Sequence, residues 1–356
     1  MKKTLYRSPA YNFEINLGYR CNMRCKFCFE QNSGYTNVNA TPEMLTYFAN
    51  YMKYVKDTTK LKVCATIYGG EPFVYINTLS HFINEIAPFI SGVVIVSNGL
   101  EINRYKNEIL NLRNVLNGKL RISISYNFSL QNETRQENTY DKVRDNIRWL
   151  ANQGFEVNSP VVFTPKTIHR IGEVFDDFVE LRNECKSNRL TWNYYKDETS
   201  MSDIDFYTLE KELIRIQYKV NTLIKNEGSV FRYSMIGSYR GDHRIDCLFA
   251  AVRAALSPDG CIYPGYDLCH DNEFTKNLLL YGRVGDSFKN IDKRREELLK
   301  ILPVHPPKIC KDCESQCRVI PWRTMETEIS QYNQMPHPER CEVIKFISKY
   351  IPIKEI

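Results

Sequence analysis

No apolar run in the chain approaches the 18 residues a membrane-spanning helix needs, so no segment is expected to cross a bilayer. The start, Met1-Lys2-Lys3-Thr4-Leu5-Tyr6, lacks the apolar core of a secretory signal, and a cytoplasmic protein is expected. Internal repeats and low-complexity tracts are missing too, which removes solenoids and arrays from consideration. Charge of one sign is also scarce: 48 basic and 42 acidic residues leave a net +6. No basic run is interleaved with aromatics, so a nucleic-acid partner is not expected. The densest charged stretch, Lys289 to Lys300, alternates Arg294 and Arg295 with Asp292, Glu296 and Glu297 and reads as a solvated helix face.

What the chain does hold is cysteine, twelve in 356 residues. Cytosolic thiols are kept reduced, so disulfides are a poor explanation and metal or cluster ligation a better one. Cys21, Cys25 and Cys28 fall in a C-x3-C-x2-C spacing directly after a short apolar segment. Three thiolates in eight residues can hold three corners of a cubane iron–sulfur cluster, and the next cysteine is as distant as Cys64. One iron would then be left for a ligand that is not protein. A structural zinc usually brings paired C-x2-C ligands or a nearby histidine, but it stays open as an alternative, as do unrelated free thiols.

At 43% hydrophobic residues the chain can bury one large core with a smaller domain beside it. Strand-like alternation at 12–17 leads into Cys21. A helix is expected after Thr41, with Pro42 at its first position and Met44, Phe48, Met52 and Val55 along one face. Strands at 61–68, 93–97, 121–126, 156–164 and 189–195 then alternate with helices at 78–90, 102–116, 139–153 and 171–185. Such alternation specifies an α/β fold with a parallel sheet, either doubly wound or a partial (β/α)6 TIM-like barrel. Cys21, Gly69, Ser97, Ser125 and Thr164 fall at or just past the strands' C-terminal ends, where parallel α/β folds bind ligands. Residues 203–227 read as a connecting helix, with Leu209, Leu213, Ile216, Val220 and Leu223 at helical spacing.

The cysteine motif with Phe27 before its last cysteine, followed by Gly69-Gly70-Glu71-Pro72 and Ser97-Asn98-Gly99, resembles the radical S-adenosylmethionine (SAM) superfamily over roughly residues 11–200. The resemblance implies that Cys21, Cys25 and Cys28 bind a [4Fe–4S] cluster whose open iron takes the amino and carboxylate groups of SAM. It places Gly69, Gly70 and Glu71 at the SAM amino group, Ser97 and Asn98 at the ribose, and Arg135 at the carboxylate, with Phe27 and Ser125 as further cofactor contacts. Tyr126, Asn127 and Phe128 depart from the family's serine-leucine-aspartate-glycine pattern.

Seven more cysteines, Cys247, Cys261, Cys269, Cys310, Cys313, Cys317 and Cys341, lie within 95 residues near the C-terminus. Ser257-Pro258-Asp259-Gly260 reads as a hairpin turn ahead of Cys261. This stretch resembles the cysteine-rich SPASM extension over about 241–345, although Gly265 stands where that pattern has a cysteine. Residues 1–200 are thus expected to form the barrel, 201–240 a helical connection and 241–356 a small cysteine-rich C-terminal domain. By the same resemblance Cys310, Cys313, Cys317 and Cys341 hold one auxiliary [4Fe–4S] cluster, while Cys247, Cys261 and Cys269 supply a second. A structural zinc at the former four is the alternative.

SPASM-bearing relatives mostly modify peptides, which implies a peptide or protein substrate and a reductant such as flavodoxin or ferredoxin. Thioether or carbon–carbon crosslinking and epimerisation are the implied outcomes. Formylglycine formation of the sulfatase-maturating type, radical chemistry on a small molecule and a non-catalytic redox or scaffold role remain alternatives. Only 20 residues precede Cys21, so an N-terminal winged-helix leader-binding domain is not expected. Leader recognition, where needed, would fall to a separate protein or to the C-terminal surface.

Overall fold

The computed structural model describes residues 10–28, 30, 37–185, 188–194, 203–227, 233–234, 253–266, 273–301, 346–347 and 349–350. Strand β1 (Ala10–Asn16) runs into the cysteine loop, and helix α1 (Pro42–Thr59) follows. Thr41 caps α1 by accepting the Met44 N–H, and Lys60 ends it in the left-handed region, donating back to Lys56 O. Leu45, Phe48, Ala49, Met52 and Val55 form its buried stripe. Phe48 and Tyr51 meet Phe13 of β1 edge-on, at ring-centre distances of 5.6 and 5.9 Å.

The alternation continues through β2 (Lys62–Tyr68), α2 (Ile76–Ile86), β3 (Gly92–Ser97), α3 (Lys106–Val115), β4 (Leu120–Ile124), α4 (Tyr140–Asn152), β5 (Val157–Phe163), α5 (Ile171–Cys185) and β6 (Asn188–Tyr194). Strands β1 to β6 lie side by side in chain order, and every neighbouring pair is parallel. With the strands in chain order, the fold is a partial TIM-like barrel, one of the two architectures the alternation leaves open. One face of the sheet is apolar and buried: Phe13, Ile15, Val63, Ala65, Ile67, Val93, Ile95, Ile122 and Ile124 align in register. The other face carries polar pairs, Thr66 with Asn12 at 3.4 Å and Asn158 with Ser123 at 3.2 Å. A polar inner face fits a ligand cavity rather than a packed core.

The connecting helix is present as α6 (Phe206–Glu227), burying Leu209, Leu213, Ile216 and Val220. The sheet then extends further than the alternation reveals. Beyond β6 lies β7 (Tyr233–Ser234), and on the opposite edge β8 (Arg253–Leu256) pairs parallel to β1, followed by antiparallel β9 (Cys261–Tyr263) and β10 (Gly282–Arg283). The Ser257–Gly260 turn is the expected hairpin: Ser257 N–H donates to Cys261 O at 2.9 Å, and Gly260 has φ +83°, open to glycine without a Cβ clash. Nothing in the local pattern could show that this hairpin would adopt β1 as its partner. An ion pair between Arg253 and Glu14 at 3.6 Å, and the Tyr11 hydroxyl on Arg253 O at 3.2 Å, fix it there.

Helix α7 (Glu273–Leu279) and helix α8 (Phe288–Ile301) follow, with further helical residues at 346–347 and 349–350. The charged face expected on α8 is only partly solvated. Tyr51 donates to Asp292 at 3.1 Å and Arg295 lies 5.7 Å from the Tyr11 ring centre, so these two charges turn inward against α1 and β1. The chain spacing could not show this because tyrosine hydroxyls supply the compensation from distant segments. No helix among the described residues is long and apolar enough to cross a membrane.

Candidate active site

The loops after β1 and β2 are stitched together before any cysteine is reached. Gly70 N–H donates to Gly18 O at 2.8 Å and Glu71 N–H to Arg20 O at 2.9 Å. A Cβ on Gly70 would lie 2.4 Å from Arg20 O and 2.5 Å from Tyr19 O, both backbone atoms. Glycine is required there so that two loops can touch. Tyr75 adds a clasp, accepting the Arg20 N–H at 2.7 Å and donating to Asn39 at 2.9 Å.

The cysteine loop is held by the Arg24 side chain and by backbone hydrogen bonds, one of them to Thr134. Arg24 Nη1 donates to Cys21 O and Met23 O at 2.8 and 2.9 Å, Cys28 N–H to Cys25 O at 3.1 Å, and Lys26 N–H to Thr134 O at 3.0 Å. Met23 is fully buried as the loop's anchor. Cys21, Cys25 and Cys28 are each half-buried. Burial pushes the Cys21 thiol up to about 12, with the charges of Glu71, Cys25 and Cys28 adding to the rise against the Met23 N–H bond. The three sulfurs therefore feel one another. Held as thiolates they need a cation, and N–H groups already address the sulfur: Met23 N–H lies 3.4 Å from Cys21 Sγ. The donor set fits a thiolate-bound iron–sulfur cluster.

Around this loop the other expected residues converge. Glu71 is fully buried; its Oε1 accepts the Phe73 N–H at 3.1 Å and the Ser97 hydroxyl at 2.9 Å, and its Oε2 accepts the Asn98 N–H at 2.7 Å. Burial raises the Glu71 pKa to about 7, those three hydrogen bonds opposing it. Asn98 reaches back across the mouth, donating through Nδ2 to Asn22 Oδ1 at 2.7 Å and to Cys21 Sγ at 3.7 Å. Asn22 donates onward to Glu101 at 2.8 Å. Ser125 is half-buried, and its N–H bonds Ser97 O at 2.7 Å.

Arg135 is buried, its guanidinium 5.0 Å over the Phe27 ring and its Nη1 3.7 Å from Cys25 Sγ. Its Nε is held by Asn127 Oδ1 at 3.1 Å. Asn127 looked like a departure from the family pattern, yet every polar atom of its side chain works. Oδ1 also accepts the Val162 N–H at 3.2 Å, while Nδ2 donates to Thr134 Oγ1 at 2.9 Å and Val162 O at 3.0 Å. Asn22 and Asn127 are the positioning residues that sequence reading missed. Proximity in the chain, one residue after Cys21 and two after Ser125, was the only available signal.

Residues 15–178 match the family model described as the radical SAM superfamily. This segment belongs to that superfamily. A radical SAM domain uses SAM and a [4Fe–4S] cluster as its cofactors, which accords with three thiols at the mouth of the barrel. A search of curated proteins finds no match. Among solved structures, the chain resembles anSMEcpe with bound AdoMet at TM-score 0.68 and 17% identity, covering 96% of this chain and 97% of that one. The same protein with AdoMet and the Cp18Cys peptide gives TM-score 0.66 at 17% identity over 96% of each chain. Streptococcus suis SuiB bound to its precursor peptide SuiA gives TM-score 0.54 at 17% identity, covering 75% of this chain and 62% of that one. At such identities the likeness is one of fold.

The radical SAM barrel is flanked by the β8–β9 hairpin. Cys261 is buried in β9, between β8 and β10, with Asp259, Tyr263 and Arg283 around it. Cys247, Cys269, Cys310, Cys313, Cys317 and Cys341 lie outside the described residues. Just past β9, Tyr266 stacks on Tyr68 at 4.3 Å, its N–H donates to Glu14 at 2.8 Å and its hydroxyl to Glu30. Burial raises the Glu30 pKa to about 7 against that bond. Sequence gave no hint that Tyr266 would join the cluster loop.

Proposed function

We propose that this protein is a radical SAM enzyme of the SPASM branch that modifies a ribosomal peptide, and that Cys21, Cys25 and Cys28 hold its SAM-cleaving cluster. The single observation carrying this reading is the meeting of three half-buried thiols with Gly69–Glu71, Ser97, Asn98 and Arg135 at one mouth of a parallel barrel. Held by Cys21, Cys25 and Cys28, the cluster would supply one-electron reductive cleavage of SAM and with it hydrogen abstraction from the substrate. The chain's own residues do the rest. Gly69 and Gly70 let the loops after β1 and β2 approach closely, and Glu71 locks the strand end carrying Ser97 and Asn98. Phe27 and Arg135 wall the site, and Ser125 lines the next strand end. On the hairpin side Tyr68 and Tyr266 stack on each other at 4.3 Å.

A peptide substrate is supported by two structural neighbours that hold peptides, anSMEcpe with Cp18Cys and SuiB with SuiA. Crosslinking or epimerisation is the reaction class we assign. In this reading Cys247, Cys261 and Cys269, and separately Cys310, Cys313, Cys317 and Cys341, hold auxiliary [4Fe–4S] clusters within the segment 241–356 that follows the barrel (1–200) and the helical connection (201–240). A flavodoxin or ferredoxin supplies the electron, and the enzyme works in the cytoplasm.

The decisive experiment uses anaerobically reconstituted protein with SAM and dithionite. It should release 5′-deoxyadenosine, and the Cys21/Cys25/Cys28→Ala variant should not; equal release from both rejects the site. Mass spectrometry of a co-expressed precursor peptide then reads the product, a loss of two hydrogens for a crosslink, or an unchanged mass with an inverted residue for epimerisation. Production of 5′-deoxyadenosine with no peptide altered would reject the peptide assignment.

A further inference from the structure

The geometry points to a role for Asn98 and Arg135 beyond contact with SAM: each donates a hydrogen bond to a cluster-binding sulfur, and together they raise the cluster's reduction potential. The inference rests on the proposed function, because it takes Cys21, Cys25 and Cys28 as the ligands.

Both side chains are aimed by other partners. Asn98 Oδ1 accepts the Leu100 N–H at 3.0 Å, which leaves its NH2 group facing Asn22 Oδ1 at 2.7 Å and Cys21 Sγ at 3.7 Å. The amide cannot flip without turning donor against donor at Leu100. Arg135 is held through Nε by Asn127 and across its face by Phe27, and this presents Nη1 to Cys25 Sγ at 3.7 Å. Sulfur is large, so a donor contact of this length is a hydrogen bond. Arg135 is 7% exposed. Two of the three thiolates thus carry a side-chain donor, and one of those donors is a full positive charge.

Reduction moves one electron from an external reductant onto the cluster, with no bond made or broken. The added charge spreads onto the sulfurs, so N–H dipoles and a nearby cation stabilise the reduced state more than the oxidised one. Asn98 and Arg135 are therefore positioning residues for electron entry.

The test is an EPR-monitored redox titration, without SAM, of the signal that disappears in the Cys21/Cys25/Cys28→Ala variant. Asn98→Leu and Arg135→Met should each lower the potential, by about tenfold in the reduction equilibrium, which is about 59 mV for one electron. Asn98→Asp should lower it further than Asn98→Leu, because it turns a carboxylate onto the sulfur. Arg135→Lys should fall between Arg135→Met and the unsubstituted protein. Glu101→Ala loosens Asn22 on the same loop without touching a sulfur, and should not lower the potential. Unchanged potentials at full iron content overturn the inference. So does a fall in Glu101→Ala as large as that in Asn98→Leu, or loss of the cluster from all four substitutions at Asn98 and Arg135. If no signal disappears in the triple cysteine variant, the ligand assignment fails instead.

Discussion

At the scale of one residue, Glu71 decides whether the barrel mouth holds together by charge or by packing. Its carboxyl is fully buried and receives three hydrogen bonds, but burial outweighs them and lifts the pKa from 4.5 to about 7. The folded state therefore binds a proton that the unfolded chain releases between those two values. Stability is greatest below pH 4.5 as far as this group is concerned, falls as pH rises through the window and levels off above about 7. The full span corresponds to about 3 kcal/mol. Denaturation of the metal-free protein across pH 4.5 to 8 should show that loss, and Glu71→Gln should remove it from the profile. The variant is expected to be less stable at low pH, since its amide NH2 meets the Asn98 N–H or the Phe73 N–H as donor against donor. Identical pH slopes for the two proteins would show that Glu71 titrates as an ordinary carboxylate.

At the scale of elements, the touching loops after β1 and β2 set the geometry of the cysteine motif. Gly70→Ala places a Cβ against two backbone carbonyls, neither of which can swing aside, and should cost about 3 kcal/mol together with iron binding. Gly118→Ala is the matched comparison: nothing lies within 4 Å of its Cβ, and only the left-handed φ of +78° is strained, at about 1 kcal/mol. Equal losses in a denaturant titration would mean that the two loops part to admit the methyl group, and that their contact does not make Gly70 necessary. The strands were legible because apolar residues alternate along them; β2 and β3 fall within one residue of the expected bounds. The short turns Phe128–Leu130 and Gln131–Thr134 were not, since Asn127 side-chain bonds rather than propensity shape them. At the site, glycines and cysteines announced themselves by type and spacing. Asn22, Asn127 and Tyr266 did not, because their value lies in partners up to 252 residues away.

At the scale of the molecule, the chain returns to its own beginning. Strand β8 pairs with β1 so that Arg253 sits opposite Asn12, and the segment after β9 lays Tyr266 across the barrel mouth. The Tyr266 backbone N–H grips Glu14, and its hydroxyl grips Glu30, two residues past Cys28. The cysteine-bearing hairpin and the cluster loop therefore share a buried hydrogen bond. Contacts of such sequence separation form late and slowly, so the cluster loop should reach its final shape only after the hairpin has docked. The coupling is measurable as a double-mutant cycle with Tyr266→Phe and Glu30→Ala. Tyr266→Phe keeps the stack on Tyr68 and removes only the hydroxyl; Glu30→Ala strands that hydroxyl without a carboxylate. If the two regions act as one unit, the effects on denaturation will be non-additive by about 0.5–3 kcal/mol, the range of coupling between residues in contact. Strict additivity would mean that the hairpin and the cluster loop are neighbours without being coupled.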